Sequence, residues 1–281
     1  MTERIVQFGA DHALHGILRH QDAALDAGVL LFNAGVIHRI GPHRLNVKLA
    51  RAMPGPSLRF DLSGQGDSMK APVGLGFEAQ AVADIGAAAG VLSDETGVNN
   101  LVALGLCSGA DHAVRAAVAD PRINGLVLLD PYAYPNDAAA RADFRARISD
   151  SDRWSRKIMS LAGRRTEIDS GEDDKDTDDG LEQGRPVPPK ELFANDLDAL
   201  VNRGVRILIV YSGLVRRHIS KSAHFFETFA EHDFDGRIDV EAMPQADHMF
   251  STLASQAALI DCVDEWLSEH FSQAATLSAA S

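Results

Sequence analysis

The chain has 281 residues, 45% of them hydrophobic and 24% charged, the profile of an ordinary globular protein long enough to bury a full core. With 27 lysines and arginines against 40 aspartates and glutamates, the formal charge is −13, which argues against nucleic-acid or anionic-membrane binding, since both want a basic face. No apolar run approaches the roughly 20 residues that span a bilayer, the start MTERIVQFGADH lacks a secretory-signal pattern, and two cysteines, Cys107 and Cys262, give no disulfide framework.

Near the start, Asp11, His12, His15 and His20 are loosely spaced and follow no zinc-ligand pattern. The first continuous apolar segment is VLLF at 29–32, and the loop after it, NAGVIHRIGPHR, carries His38, Arg39, His43 and Arg44. A helix-like RLNVKLARAM leads to a second strand, LRF at 58–60, and to the glycine-rich DLSGQGDS at 61–68. That turn lacks the Lys-Ser/Thr ending of a phosphate loop and the third glycine of a dinucleotide fingerprint, so it is expected to be structural. The helical EAQAVADIGAAAGVL precedes a strand at 101–106, LVALGL, which stops at Cys107-Ser108-Gly109 before a helix at 110–119. Further strands are expected at 126–129 (LVLL), 207–211 (ILIVY) and, alternating and so near an edge, 238–242 (IDVEA). SAHFFETFAE reads as a helix, and a last helix from 251 to about 271 lines up Leu253, Ala257, Ile260, Val263, Leu267 and Phe271.

Strands that are apolar throughout are buried on both faces, and their alternation with helices predicts an α/β fold with a mostly parallel sheet. Residues 1–281 are read as one domain. Residues 135–202 contain no strand pattern and are expected to be a helical lid over the open end of the sheet, with a mobile acidic loop at 167–179.

The chemistry concentrates at strand ends. A nucleophile elbow is a strained strand-to-helix turn with small residues two positions either side of the nucleophile. Centred on Cys107, those positions are Gly105 and Gly109; centred on Ser108, they are Leu106 and Ala110, and leucine would crowd the turn. The register therefore selects Cys107, and Ser108 supplies a backbone N–H to an oxyanion. A thiol with a free pKa of about 8.5 ionises more readily at a helix N-terminus or beside an imidazolium. His248 stands in the loop after the last strand, the position and chain order expected of the general base.

The turn after ILIVY, where a carboxylate is usual, holds Ser-Gly-Leu-Val and then Arg216 and Arg217. Asp130, one strand earlier in LVLLDPYAYP, either orients the imidazole or caps the turn before Pro131; a Cys–His dyad is the alternative. The second oxyanion N–H is expected from Gly35 or Val36. His38 and Arg39 either contact an anionic substrate group or pair with acidic side chains.

Assembled in this order, the motifs resemble those of the α/β-hydrolases. HRIGPHRLNVKLARAM, RFDLSGQGDS and GLCSGA resemble in particular the hydrolases associated with the exosortase A system, serine aminopeptidase-like members of that superfamily. The resemblance implies a nucleophile, a histidine and an acid, carried here onto Cys107, His248 and Asp130. The chain departs from it in having cysteine for the commoner serine and no acid after ILIVYSG. The expected activity is hydrolysis of an ester or thioester, small or carrier-bound, through an acyl-cysteine. Transfer to an alcohol or amine, and a binding protein on a hydrolase fold, are the alternatives. No cofactor or metal is implied, the expected location is the cytoplasm, and the oligomeric state is open.

Overall fold

The continuous apolar segments lie side by side in one sheet. In a computed structural model that describes residues 2–20, 25–32, 35–71, 75–138, 187–215 and 218–272, eight strands take the order β1-β2-β4-β3-β5-β6-β7-β8. These are β1 (Thr2–Phe8), β2 (Leu14–His20), β3 (Gly28–Leu31), β4 (Ser57–Phe60), β5 (Leu101–Leu106), β6 (Ile123–Leu129), β7 (Arg206–Ser212) and β8 (Ile238–Met243). Pairings β1–β2 and β2–β4 are antiparallel; all others are parallel. The six strands read from the sequence are β3 to β8, and the alternating one, β8, is an edge.

The antiparallel pair β1 and β2 was not expected. Its residues are only partly buried, with Thr2, Glu3, Arg4 and Ile5 all exposed, so no continuous apolar run marks it.

Side chains alternate across the sheet and divide the core into two layers. Leu30, Leu58, Ala103 and Leu128 point to one face, which α2 (Phe77–Thr96), α3 (Ser108–Ala119) and α4 (Lys190–Asn202) cover. Val29, Leu31, Val102, Leu104 and Val127 point to the other, covered by α1 (Leu45–Ala52) and α6 (Leu253–Phe271). A short α5 (Ser222–Thr228) adds Phe225 to the first layer. Of the expected lid, residues 139–186 lie outside the described residues, the acidic segment 167–179 included. The part of it that is described at its carboxyl end is α4, which packs on the core through Phe193, Leu197 and Leu200.

The stripe of α6 is turned from its expected phase at the start. Leu253 is 77% exposed, whereas Gln256, Leu259, Val263, Trp266, Leu267 and Phe271 are buried. Gln256 takes an inward position because its amide is satisfied there, donating to the Phe250 carbonyl at 2.8 Å and accepting from Lys48.

The sheet changes direction of travel at its centre. From β3 the chain steps to β4 on one side and then crosses to β5 on the other, and such a switch point opens a crevice at the carboxyl ends of the strands. The loops after β3 and β5 flank it. Because Leu267 is fully buried and Leu253 is not, Leu267→Ala should cost about 2–5 kcal/mol and Leu253→Ala less than about 0.5 kcal/mol in urea denaturation.

Candidate active site

The turn from β5 into α3 is built around one strained residue. Cys107 has φ 55° and ψ −121°, a conformation that non-glycine residues rarely adopt and that the surrounding structure must hold in place. Its amide continues the parallel ladder by donating to the Leu129 carbonyl at 2.8 Å, and its own carbonyl accepts from Ala110 at 2.9 Å. Gly105 explains how so sharp a turn packs. A Cβ there would stand 2.2 Å from the Gly109 carbonyl oxygen, so strand and helix meet only through glycine. The half-buried Cys107 thus sits at the head of a 12-residue helix, whose partial positive charge favours an anion.

Asp130 directly follows β6, which lies next to β5 in the sheet, and is 1% exposed. Its Oδ1 accepts from the Ser212 amide at 2.7 Å, and its Oδ2 accepts from the Ser212 hydroxyl at 2.6 Å and from His248 Nδ1 at 2.7 Å. The aspartate and the histidine expected of a triad are therefore in direct contact. With Nδ1 bonded to the carboxylate, Nε2 is the ring atom left for the hydrogen bond that His248 shares with Cys107.

Burial alone would keep the His248 ring neutral. The hydrogen bonds to Asp130 and to Cys107, reinforced by the negative charge of each, outweigh that effect and raise its pKa from 6.5 to about 9.

Ser212 and Gly213 were not anticipated; Ser212 ends β7 and Gly213 opens the turn after it, where an acid is usual. Ser212 holds the Asp130 carboxylate from that place. Gly213 donates its amide to the Ala246 carbonyl at 2.8 Å, and a Cβ on it would lie 2.6 Å from the Pro244 carbonyl oxygen. The loop that carries His248 is thereby docked against the end of β7. The sequence signal was the missing carboxylate itself: a Ser-Gly pair where an acid is expected, with an aspartate at the end of the neighbouring strand.

The loop after β3 closes the other side. Asn33 and Ala34 lie outside the described residues; the Gly35 amide donates to Ser108 Oγ at 2.8 Å, and Val36 is 91% exposed. His38 and Arg39 are engaged with carboxylates. Arg39 binds Asp61 with its backbone amide at 2.6 Å and with its guanidinium, and reaches Asp67 at 2.7 Å, while His38 Nε2 lies 3.5 Å from both acids. Among the described residues, His38, Asp61 and Asp67 are the titratable groups close enough to share an ion, and the Arg39 guanidinium already bridges the two carboxylates. The glycine-rich turn is held the same way. Ser68 donates to the Asp61 carbonyl at 2.7 Å, and a Cβ on Gly66 would meet the Asp61 carboxyl at 2.3 Å.

Two measurements check this geometry. In an NMR titration, the His248 ring should stay protonated through neutral pH and release its proton near pH 9, and Asp130→Asn should move that release to lower pH. Gly105→Ala should destabilise the fold by about 1–3 kcal/mol or more, read by chemical denaturation, because backbone must move to admit the methyl group.

Comparison with known proteins places the architecture. No protein-family model and no curated protein matches the sequence. Solved structures are similar over nearly the whole chain. An esterase from Pyrococcus furiosus matches with a TM-score of 0.60 and 15% identity, covering 96% of this chain and 92% of that one. A proline iminopeptidase from Mycobacterium smegmatis matches at 0.55 and 16%, over 96% and 98% of the two chains. An α/β serine hydrolase from Xanthomonas campestris, described as having no lid, matches at 0.54 and 14%, over 95% of each. What they share with this chain is the fold: an α/β-hydrolase fold, with a mostly parallel sheet of eight strands between helical layers.

Proposed function

We propose that the protein is an acyl ester or thioester hydrolase working through an acyl-cysteine at Cys107, with the nucleophile, histidine and acid that its resemblance to the exosortase A system-associated hydrolases implies, and with cysteine in place of their commoner serine. The observation that carries this is the chain of contacts from Asp130 through His248 to Cys107, with the cysteine at the strained turn. Similar folds among esterases and a peptidase support a hydrolytic reaction in general. The cysteine as nucleophile rests on its place in this chain.

In this reading the Cys107 thiolate attacks the acyl carbonyl carbon, forming a C–S bond as the carbonyl π electrons move to oxygen. The backbone N–H of Ser108 stabilises that oxyanion, on the side of the crevice that the loop carrying Gly35 and Val36 closes. On collapse, the bond to the leaving alkoxide or thiolate breaks, and the His248 imidazolium delivers its proton to it. The ring, now neutral, takes a proton from water. The resulting hydroxide attacks the thioester, the C–S bond breaks, and a carboxylic acid leaves with the thiolate restored. Asp130 holds the ring in the tautomer that presents Nε2 and stabilises its cationic form. His38 and Arg39 have no part in these steps.

Intact-mass spectrometry with an activated acyl donor should show one added acyl group, abolished in Cys107→Ala and slowed about 10²–10⁴-fold in His248→Ala. Failure of the wild-type chain to acylate, together with no turnover on ester and thioester panels, refutes the enzyme and leaves a binding protein. The rate should fall above about pH 9, where the imidazolium loses the proton that the leaving group needs.

A further inference from the structure

We infer that the side-chain hydroxyl of Ser108, and not only its backbone amide, donates to the oxyanion, with the Gly35 amide standing behind it as a relay. This rests on the acyl-cysteine reading above and names a further catalytic group in the same site.

The loop after β3 is where the second oxyanion donor is expected, and its Gly35 N–H is already committed. It donates to Ser108 Oγ at 2.8 Å, a bond spanning 73 positions of sequence and joining the two loops that flank the switch point. In this arrangement the Gly35 amide does not face an oxyanion; it faces the hydroxyl oxygen. A serine hydroxyl has one hydrogen to donate and two lone pairs to accept with. Accepting from Gly35 leaves that hydrogen available and polarises the O–H bond, strengthening it as a donor.

Position favours the crevice as the place that hydrogen is used. Ser108 follows the nucleophile directly and opens α3, so its amide is one of the helix N–H groups with no acceptor inside the helix. Amide and hydroxyl belong to one residue and serve one anion site, next to Cys107. The oxyanion hydrogen bonds then number two from Ser108, with Gly35 acting through the second. Gly35 suits a supporting role, since its φ is +54° and a Cβ on it would meet nothing within 4 Å. The glycine is needed for its backbone turn and not for close packing. The arrangement also accounts for serine after the nucleophile: alanine would fill the space but break the relay.

The test is single-turnover acylation of the full chain, followed by intact mass, with a paired ester and thionoester of the same acyl group. Ser108→Ala and Ser108→Gly both remove the hydroxyl and free the Gly35 amide. The expected result is a drop of about 10²–10³-fold in the acylation rate constant for the ester, with little change in the concentration dependence. The drop for the thionoester should be much smaller, because a C=S sulfur accepts hydrogen bonds poorly. Thermal melting reports whether each variant is folded, and either folded variant suffices. Ester acylation at or above the wild-type rate would overturn the inference, since the freed Gly35 amide would then be the true donor. Equal losses for ester and thionoester would also overturn it, as the mark of a structural role. A wild-type chain that never acylates refutes the acyl-cysteine reading itself, and this inference with it.

Discussion

The structure around the site depends on one buried carboxylate. Asp130 is 1% exposed, and an ionised acid so far from water is stable only if hydrogen bonds and an opposite charge replace its hydration. Its partners do not come from its own strand. The Ser212 amide and hydroxyl come from the end of β7, and the His248 ring from the loop after β8. Satisfying this one side chain therefore ties together the ends of three neighbouring strands. It also sets the histidine's tautomer and charge, the two properties that decide whether the ring can serve a thiol.

A second constraint is steric. β5 and α3 approach so closely that only glycine fits at Gly105, and that close approach is what lets the strained turn at Cys107 pack. The apex of the turn lifts a thiol out of a strand that is otherwise buried throughout. The carboxylate network then meets the elbow from the other side, through His248. Each half depends on backbone in the parallel ladder, since the Cys107 amide donates to Leu129, one residue before Asp130. Asp130 and Cys107 stand at adjacent strand ends because β5 and β6 are neighbours in the sheet.

Much of this architecture is legible in the chain because parallel strands buried on both faces leave a strong local mark. Runs such as LVALGL and ILIVY have no polar position to confuse with a helix or loop. The same reasoning passes over TERIVQF and LHGILRH, where charged and apolar residues mix along antiparallel strands at one side of the sheet. It also misplaces the first turn of α6. The pattern admits Leu253 to the buried stripe, but the inward position belongs to Gln256, whose amide finds partners in Lys48 and the Phe250 carbonyl. Periodicity counts apolar residues and has no means of counting hydrogen-bond partners.

Sequence by itself determined the strand ends at which the candidate side chains lie. Spacing of Gly105 and Gly109 about Cys107, and the place of His248 after the last strand, are local facts that need no partner in space. Whether Asp130 capped a turn or held the histidine was not a local fact. His248 lies 118 positions away, and Ser212, which completes the carboxylate's shell, lies 82 away. Only the packing of β6, β7 and the loop after β8 brings the three together. The Gly35–Ser108 bond is of the same kind. Chain order could place each group near the crevice, but which N–H faces which oxygen is decided by the tertiary structure, because a hydrogen bond depends on angstrom-scale distance and direction that no spacing rule carries.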